Sequence, residues 1–195
     1  PGEHWVVNSL GVLAAIAAAG GNVGEAADAF GGMEAPKGRG CFHLIHSGGG
    51  EITLIDESYN ASPVSMRAAI EVLGQTEPTG SGRRIAVLGD MLELGHNAPG
   101  LHANLAENLV RESVDLVFTA GRDMAHLSEA LDPAMRGGHA INSELLEPMV
   151  REALQPGDVV VVKGSAGSKT GLIVEALLGL DENTGNVAKR VVNGD

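Results

Sequence analysis

Apolar residues recur at helical spacing near the amino end, at Val6, Leu10, Leu13, Ala14 and Ala17, until Gly20-Gly21 ends the run. The spacing predicts one amphipathic helix from Trp5 to Ala19. A second, shorter helix is predicted from Val23 to Phe30, stopped by Gly31-Gly32. The stretch from Glu34 to Gly40 then has the proline, glycine and charge content of a linker. Beyond it the period changes. Residues 42–46 and 51–56 are apolar or β-branched runs joined by Ser47-Gly48-Gly49-Gly50, which predicts a hairpin with a glycine-rich turn. Ser62-Pro63 offers an N-cap followed by proline at the first helical position, and the helix it starts should reach about Leu73. Strands are then predicted at 84–88, 115–119, 138–141 and 159–163, separated by helices near 99–112, 122–130 and 143–154 and followed by one near 168–178.

Strands that alternate with helices at this spacing need crossover connections, and crossovers give parallel pairing. The fold class is therefore α/β, a Rossmann-like, mostly parallel sheet with helices on both faces, preceded by a short helical remnant. With 44% hydrophobic residues in 195, the chain can bury a core of its own. Twenty-five acidic against thirteen basic residues give a net charge of -12, so the long-range field repels nucleic acid and anionic membrane. The single Cys41 excludes an internal disulfide and a multi-cysteine metal site, and fits a reducing, cytoplasmic setting. No stretch approaches the roughly 20 apolar residues of a membrane span, and the start lacks the order of a signal peptide. The chain begins at Pro1 rather than Met and enters a helix within a few residues, as a piece of something longer would.

In parallel sheets, ligands gather beyond the carboxyl ends of the strands. That rule selects three loops. Asp56-Glu57-Ser58-Tyr59-Asn60-Ala61-Ser62 packs two carboxylates, a phenol, an amide and two hydroxyls into one strand-to-helix turn, which suits either ribose recognition or plain turn and cap chemistry. Gly89-Asp90-Met91-Leu92-Glu93-Leu94-Gly95 again puts a carboxylate at a strand end, able to grip an ammonium group or to cap a turn. His96 and His102, six residues apart, match no helical metal pair and suit surface or packing roles. The third loop, Lys163-Gly164-Ser165-Ala166-Gly167-Ser168-Lys169-Thr170, follows an all-valine strand. It lacks the glycines of a phosphate loop at 163 and 168, yet its small residues and Lys163 suit an anion, phosphate or carboxylate. Taken singly, Asn8 and Arg39 carry no signal of their own.

Together and in this order, Gly2-Glu3-His4 with Asn8, Gly38-Arg39, the 56–61 loop, Ser65-Met66-Arg67-Ala68-Ala69, the string from Ile85 to Gly95, and Val162-Lys163-Gly164-Ser165 resemble the Mur ligases over residues 1–178. The tyrosine-asparagine loop and the Gly-Asp-Met string are similar to the branch that joins D-alanyl-D-alanine to UDP-N-acetylmuramoyl-tripeptide. The resemblance implies an ATP-dependent amide ligase of cytoplasmic peptidoglycan precursor synthesis, acting through an acyl phosphate. It implies residues 1–34 as the last helices of a central ATPase domain and 35–180 as the carboxyl-terminal Rossmann-like domain, while 181–195, polar and without periodicity, reads as a disordered tail. Asn8, Arg39, Asp56 and Asn60 would bind ATP. Tyr59, Asp90, Lys163, Gly164 and Ser165 would line the site for the substrates. Mg2+ would be held mainly by residues of the central domain that this chain lacks. No catalytic residue or metal ligand is assigned within it, and the fragment alone should be inactive. The partners implied are the dipeptide and the UDP-linked tripeptide, within a monomeric parent. Ala166 stands where many relatives carry Arg after Lys-Gly-Ser, which leaves open whether Lys169 supplies that contact. Without the resemblance, the same loops also fit a stand-alone α/β nucleotide-binding or regulatory module, or a non-catalytic interaction domain.

Overall fold

The computed structural model describes residues 3–31 and 37–181, with side chains from Val6 onward. Gly2, the side chain of His4, the first part of the linker (residues 34–36) and the tail beyond Asp181 lie outside the described residues. The chain divides into two compact units, Pro1–Pro36 and Lys37–Asp195.

The first unit holds α1 (Glu3–Ala18) and α2 (Val23–Phe30), joined by a turn in which Gly20 has φ +78°. Asn22 caps α2 by accepting from the backbone N–H groups of Gly24 and Glu25. The residues of the stripe predicted on α1 share one arc of the helix, but apolar residues are not confined to it. Val6, Val7, Leu10 and Val12 are all exposed, and at 100° per residue Val12 lies on a different side of the helix from Val6 and Leu10.

The second unit is a six-stranded sheet flanked by helices. Its strands are β1 (Cys41–Ser47), β2 (Gly50–Glu57), β3 (Arg84–Gly89), β4 (Leu116–Ala120), β5 (Arg136–Ala140) and β6 (Val159–Lys163), arranged β1-β2-β6-β3-β4-β5. The hairpin partners β1 and β2 are antiparallel and every other pairing is parallel. The last strand in sequence is thus an inner strand of the sheet. All five residues of β6 are buried, as a β-branched run covered on both faces requires. One apolar core lies under α3 (Pro63–Gln75), α5 (Leu105–Arg111) and α6 (Met124–Ala130), built around Met66, Ile70, Leu73, Leu109 and Leu127. The other lies under α7 (Ser143–Ala153) and α8 (Gly171–Leu178), where Leu146, Val150, Ile173 and Leu177 join Val160 and Val162 of β6 in one buried cluster.

Helix α3 starts where Ser62-Pro63 places it. Ser62 accepts from the Ser65 N–H and Ser65 Oγ accepts in return from the Ser62 N–H, a reciprocal capping pair. Two predicted helices differ in detail. The segment 99–112 forms two helices, α4 (Ala98–Ala103) and α5, that bend apart at Asn104, so that α4 packs on α6 while α5 packs on α3. The last helix begins at Gly171 instead of 168, because Ala166–Ser168 make a single tighter turn and Lys169 takes a left-handed conformation, φ +55°.

Candidate functional site

All three polar loops selected from the sequence emerge at the carboxyl ends of β2, β3 and β6, which are neighbours in the sheet. The register sets Glu57 of β2 opposite Lys163 of β6, and Leu88 of β3 on its other side. Gly89 and Gly164, at the ends of adjacent strands, approach so closely that a side chain on either would overlap Ser168 and Thr170. The loop after β6 is thereby laid flat across the strand ends.

Asp56 is 1% exposed. One carboxylate oxygen accepts from the Gly38 N–H at 3.1 Å, the other from the Ser58 N–H and hydroxyl at 3.1 and 2.6 Å. The Asp56 carbonyl also accepts from Gly40 N–H, and the Gly38 carbonyl from Tyr59 N–H. These bonds fix the turn 38–40 against the 57–60 loop. Gly38 has φ +78°, and a Cβ there would meet the Tyr59 backbone at 2.9 Å, so this position needs glycine. The product is a surface arrangement in which the exposed Arg39 guanidinium lies over the half-exposed Tyr59 ring, 4.1 Å from its centroid. Asn60 is exposed and its side-chain oxygen accepts from Ala61 N–H.

Lys163 points inward. It is 2% exposed, and its Nζ donates to the Asn60 carbonyl at 2.8 Å and to Glu57 Oε2 at 3.3 Å. Burial lowers its pKa, with the Glu57 charge and hydrogen bond opposing. Ser165 is also engaged: its hydroxyl accepts from Leu92 N–H at 2.9 Å, and its N–H donates to the Asp90 carbonyl. The 56–62, 90–95 and 163–170 loops are thus stitched to one another. A further tie comes from His102, fully buried, whose Nε2 accepts from Met91 N–H while Nδ1 donates to the Ala98 carbonyl, 2.9 and 2.7 Å away. His102 has the packing role expected of it, and His96 is exposed.

Beside these loops lies a cavity of about 300 Å³, at the small end of ligand sites. Asp90, 9% exposed, forms one wall. Its Oδ1 accepts from the Met124 N–H at 2.8 Å, and its carboxylate rests over Gly121, where a Cβ would overlap it. The opposite side is made by Asn142, Ser143 and Glu144 at the start of α7 and by Gly167 to Lys169. Ser143 Oγ donates to the Ser168 carbonyl at 2.6 Å, tying these two walls together. The Lys169 ammonium stands 3.6 Å from Glu144, both exposed.

Of the residues assigned from sequence, Asp90 lines this cavity, while Lys163 and Ser165 brace the loops beside it and Gly164 permits their packing. Arg39, Asp56, Tyr59 and Asn60 form a second cluster around the β2 end. Asn8 is an exposed residue of the first unit. Sequence reasoning passed over Gly121, Ser143, Glu144 and the orientation of Lys169. The strand-end rule applied equally to the loops after β4 and β5; the Asn142-Ser143 pair, a helix-start signal, was the visible clue. Among the described residues, no three His, Cys, Asp or Glu side chains come together as a metal site.

Residues 41–166 match the family described as Mur ligase, glutamate ligase domain. The UDP-N-acetylmuramoyl-tripeptide--D-alanyl-D-alanine ligase of Bacillus subtilis is 33% identical over 91% of this chain and 38% of its own length. The enzyme of the same name from Mycobacterium tuberculosis H37Rv is 32% identical over 95% of this chain and 40% of its own. A crystal structure of MurF from Acinetobacter baumannii superimposes with a TM-score of 0.76 at 25% identity, covering 92% of this chain and 38% of that one. This chain therefore spans about two fifths of the length of the relatives it matches.

Proposed function

Because this chain belongs to the Mur ligase family, we propose that it is the carboxyl-terminal part of an ATP-dependent ligase that joins D-alanyl-D-alanine to UDP-N-acetylmuramoyl-tripeptide. Residues 1–34 are on this reading the end of the central ATPase domain and 35–180 the carboxyl-terminal domain. The observation that carries the proposal is the cavity at the strand ends, small and walled by the buried Asp90 carboxylate. The relatives described above are named as ligases of those two substrates, which supports the reading. On this reading the γ-phosphoryl group of ATP passes to the tripeptide's terminal carboxylate with release of ADP, the amine of the dipeptide attacks the acyl phosphate, and phosphate leaves as the amide forms.

The work of this chain is to hold the amine. Asp90 is fixed by Met124 N–H and by Gly121, so it offers a carboxylate of set direction to an ammonium group. The amine must lose a proton before it attacks, and a carboxylate that grips the ammonium keeps the nitrogen in place while that happens. Lys163 and Ser165 act through the loops they brace, which keeps the cavity wall rigid. On the other cluster, Arg39 over Tyr59 presents a planar cation and an aromatic edge suited to a nucleotide. Asp56, its lone pairs largely taken by the 38–40 turn and Ser58, contributes by holding Arg39 there, and Asn60 edges the same surface. Asn8 is assigned to the adenine. Mg2+ and the main phosphate-binding loop are assigned to the part of the central domain that this chain lacks. Among the described residues no helix is long and apolar enough to cross a membrane; the cytoplasmic setting follows from the proposed UDP-linked substrate and ATP.

A protein containing this chain is expected to release phosphate from ATP only when the dipeptide and the UDP-linked tripeptide are both present; the 195-residue chain by itself should release none. Phosphate release that does not depend on D-alanyl-D-alanine would overturn the proposal.

A further inference from the structure

We propose that Lys169 determines specificity for the free carboxylate of the amine substrate, with Glu144 as the resting partner that the carboxylate displaces; this rests on the reading of the cavity as the amine-substrate site. The cavity has two negative groups, Asp90 and Glu144, and among the described residues lining it Lys169 alone carries a positive charge. The cation that the sequence favoured, Lys163, is buried and bonded to Glu57 and the Asn60 carbonyl, and the buried Ser165 hydroxyl accepts from Leu92 N–H while its own proton is directed to the Ala61 carbonyl. Neither is available to an incoming carboxylate.

Lys169 differs in each respect. Its side chain is 67% exposed and its ion pair with Glu144 is long, 3.6 Å, between two solvated groups. Such a pair adds little to stability and exchanges readily for a better-placed anion. The backbone at Lys169, by contrast, is set. It occupies the left-handed region, φ +55° and ψ +31°, a conformation that residues other than glycine adopt at a cost and that persists where the surroundings impose it. The surroundings are visible: Ser168 Oγ donates to the Ser165 carbonyl, Ser143 Oγ to the Ser168 carbonyl, and Leu172 N–H to the Lys169 carbonyl. The loop thus aims a mobile ammonium at the cavity mouth from a fixed root. A small zwitterion fits that polarity, ammonium toward Asp90 and carboxylate toward Lys169.

The test is an NMR titration of the isotope-labelled chain with D-alanyl-D-alanine and with its carboxyl-terminal amide, following the amides of Gly121 and Gly167. The unaltered chain should bind the acid about fivefold more tightly than the amide, as one exposed charge pair allows. In Lys169→Met and Lys169→Gly that preference should vanish while affinity for the amide stays unchanged. Glycine accepts a positive φ without strain, so the second variant preserves the loop. Glu144→Gln should tighten the acid and leave the amide unaffected. If the Lys169 variants keep the preference while Gly121 and Gly167 still shift, the role of Lys169 is overturned and the cavity reading stands. If neither ligand shifts those amides, the cavity reading falls, and this proposal with it.

Discussion

Lys163 is the residue whose meaning changes most between sequence and structure. On the page of letters it is a cation at the mouth of a phosphate-loop-like segment; in the fold it reaches across to β2 and is sealed between Glu57 and the Asn60 carbonyl. What decides this is the pairing of β2 with β6, strands about a hundred residues apart, and no local pattern announces it. A measurable consequence follows from its lowered pKa. A lysine that holds its proton less tightly when folded than when unfolded weakens the fold while charged, fully so below the folded pKa, and the cost fades as pH rises toward the ordinary value of 10.5. Thermal unfolding of the unaltered chain should therefore improve relative to Lys163→Met as pH climbs from neutrality to 10.5. A difference that stays flat or moves the other way would contradict the buried, charged state. Asp90 was readable as a strand-end carboxylate, but its direction depends on Gly121, at the end of the neighbouring strand β4.

At the scale of elements, the sequence is most legible where local chemistry and tertiary packing agree. Ser62-Pro63 marks the start of α3 because capping is a property of a few neighbouring residues. Ser62→Ala should cost about 1 kcal/mol, read from the denaturation midpoint at unchanged slope; no loss would mean that Ser65 alone sustains the cap. The strands were legible for a related reason, since β-branched runs bounded by glycine and polar residues have few other uses. Legibility fails where a distant contact overrides a local period. The 99–112 segment reads as one helix by propensity and is divided because its two halves serve different neighbours, α6 and α3. The start of α8 shifts because the 163–170 loop is fastened to Asp90 and Ser143 before a helix can begin. Those same fastenings, invisible in sequence, are what turn three polar loops into a cavity.

For the whole molecule, the decisive feature is the strand order. Among the described residues, the two halves of the sheet, β1-β2 and β3-β4-β5, are hydrogen-bonded into one sheet through β6. A chain ending at Gln155 should therefore lose cooperative unfolding in urea, although it keeps five of the six strands; a sharp transition would show that the halves stand alone. The same arrangement bears on how the protein comes into being. During synthesis the amino-terminal strands emerge first, and until residue 159 is available β2 and β3 each present a bare edge of unpaired N–H and C=O groups. Those edges have the right spacing to join strands of another nascent chain. The interval before the last strand arrives is thus the window in which this protein is most open to aggregation and most dependent on a chaperone, and slow translation just ahead of Val159 would widen it.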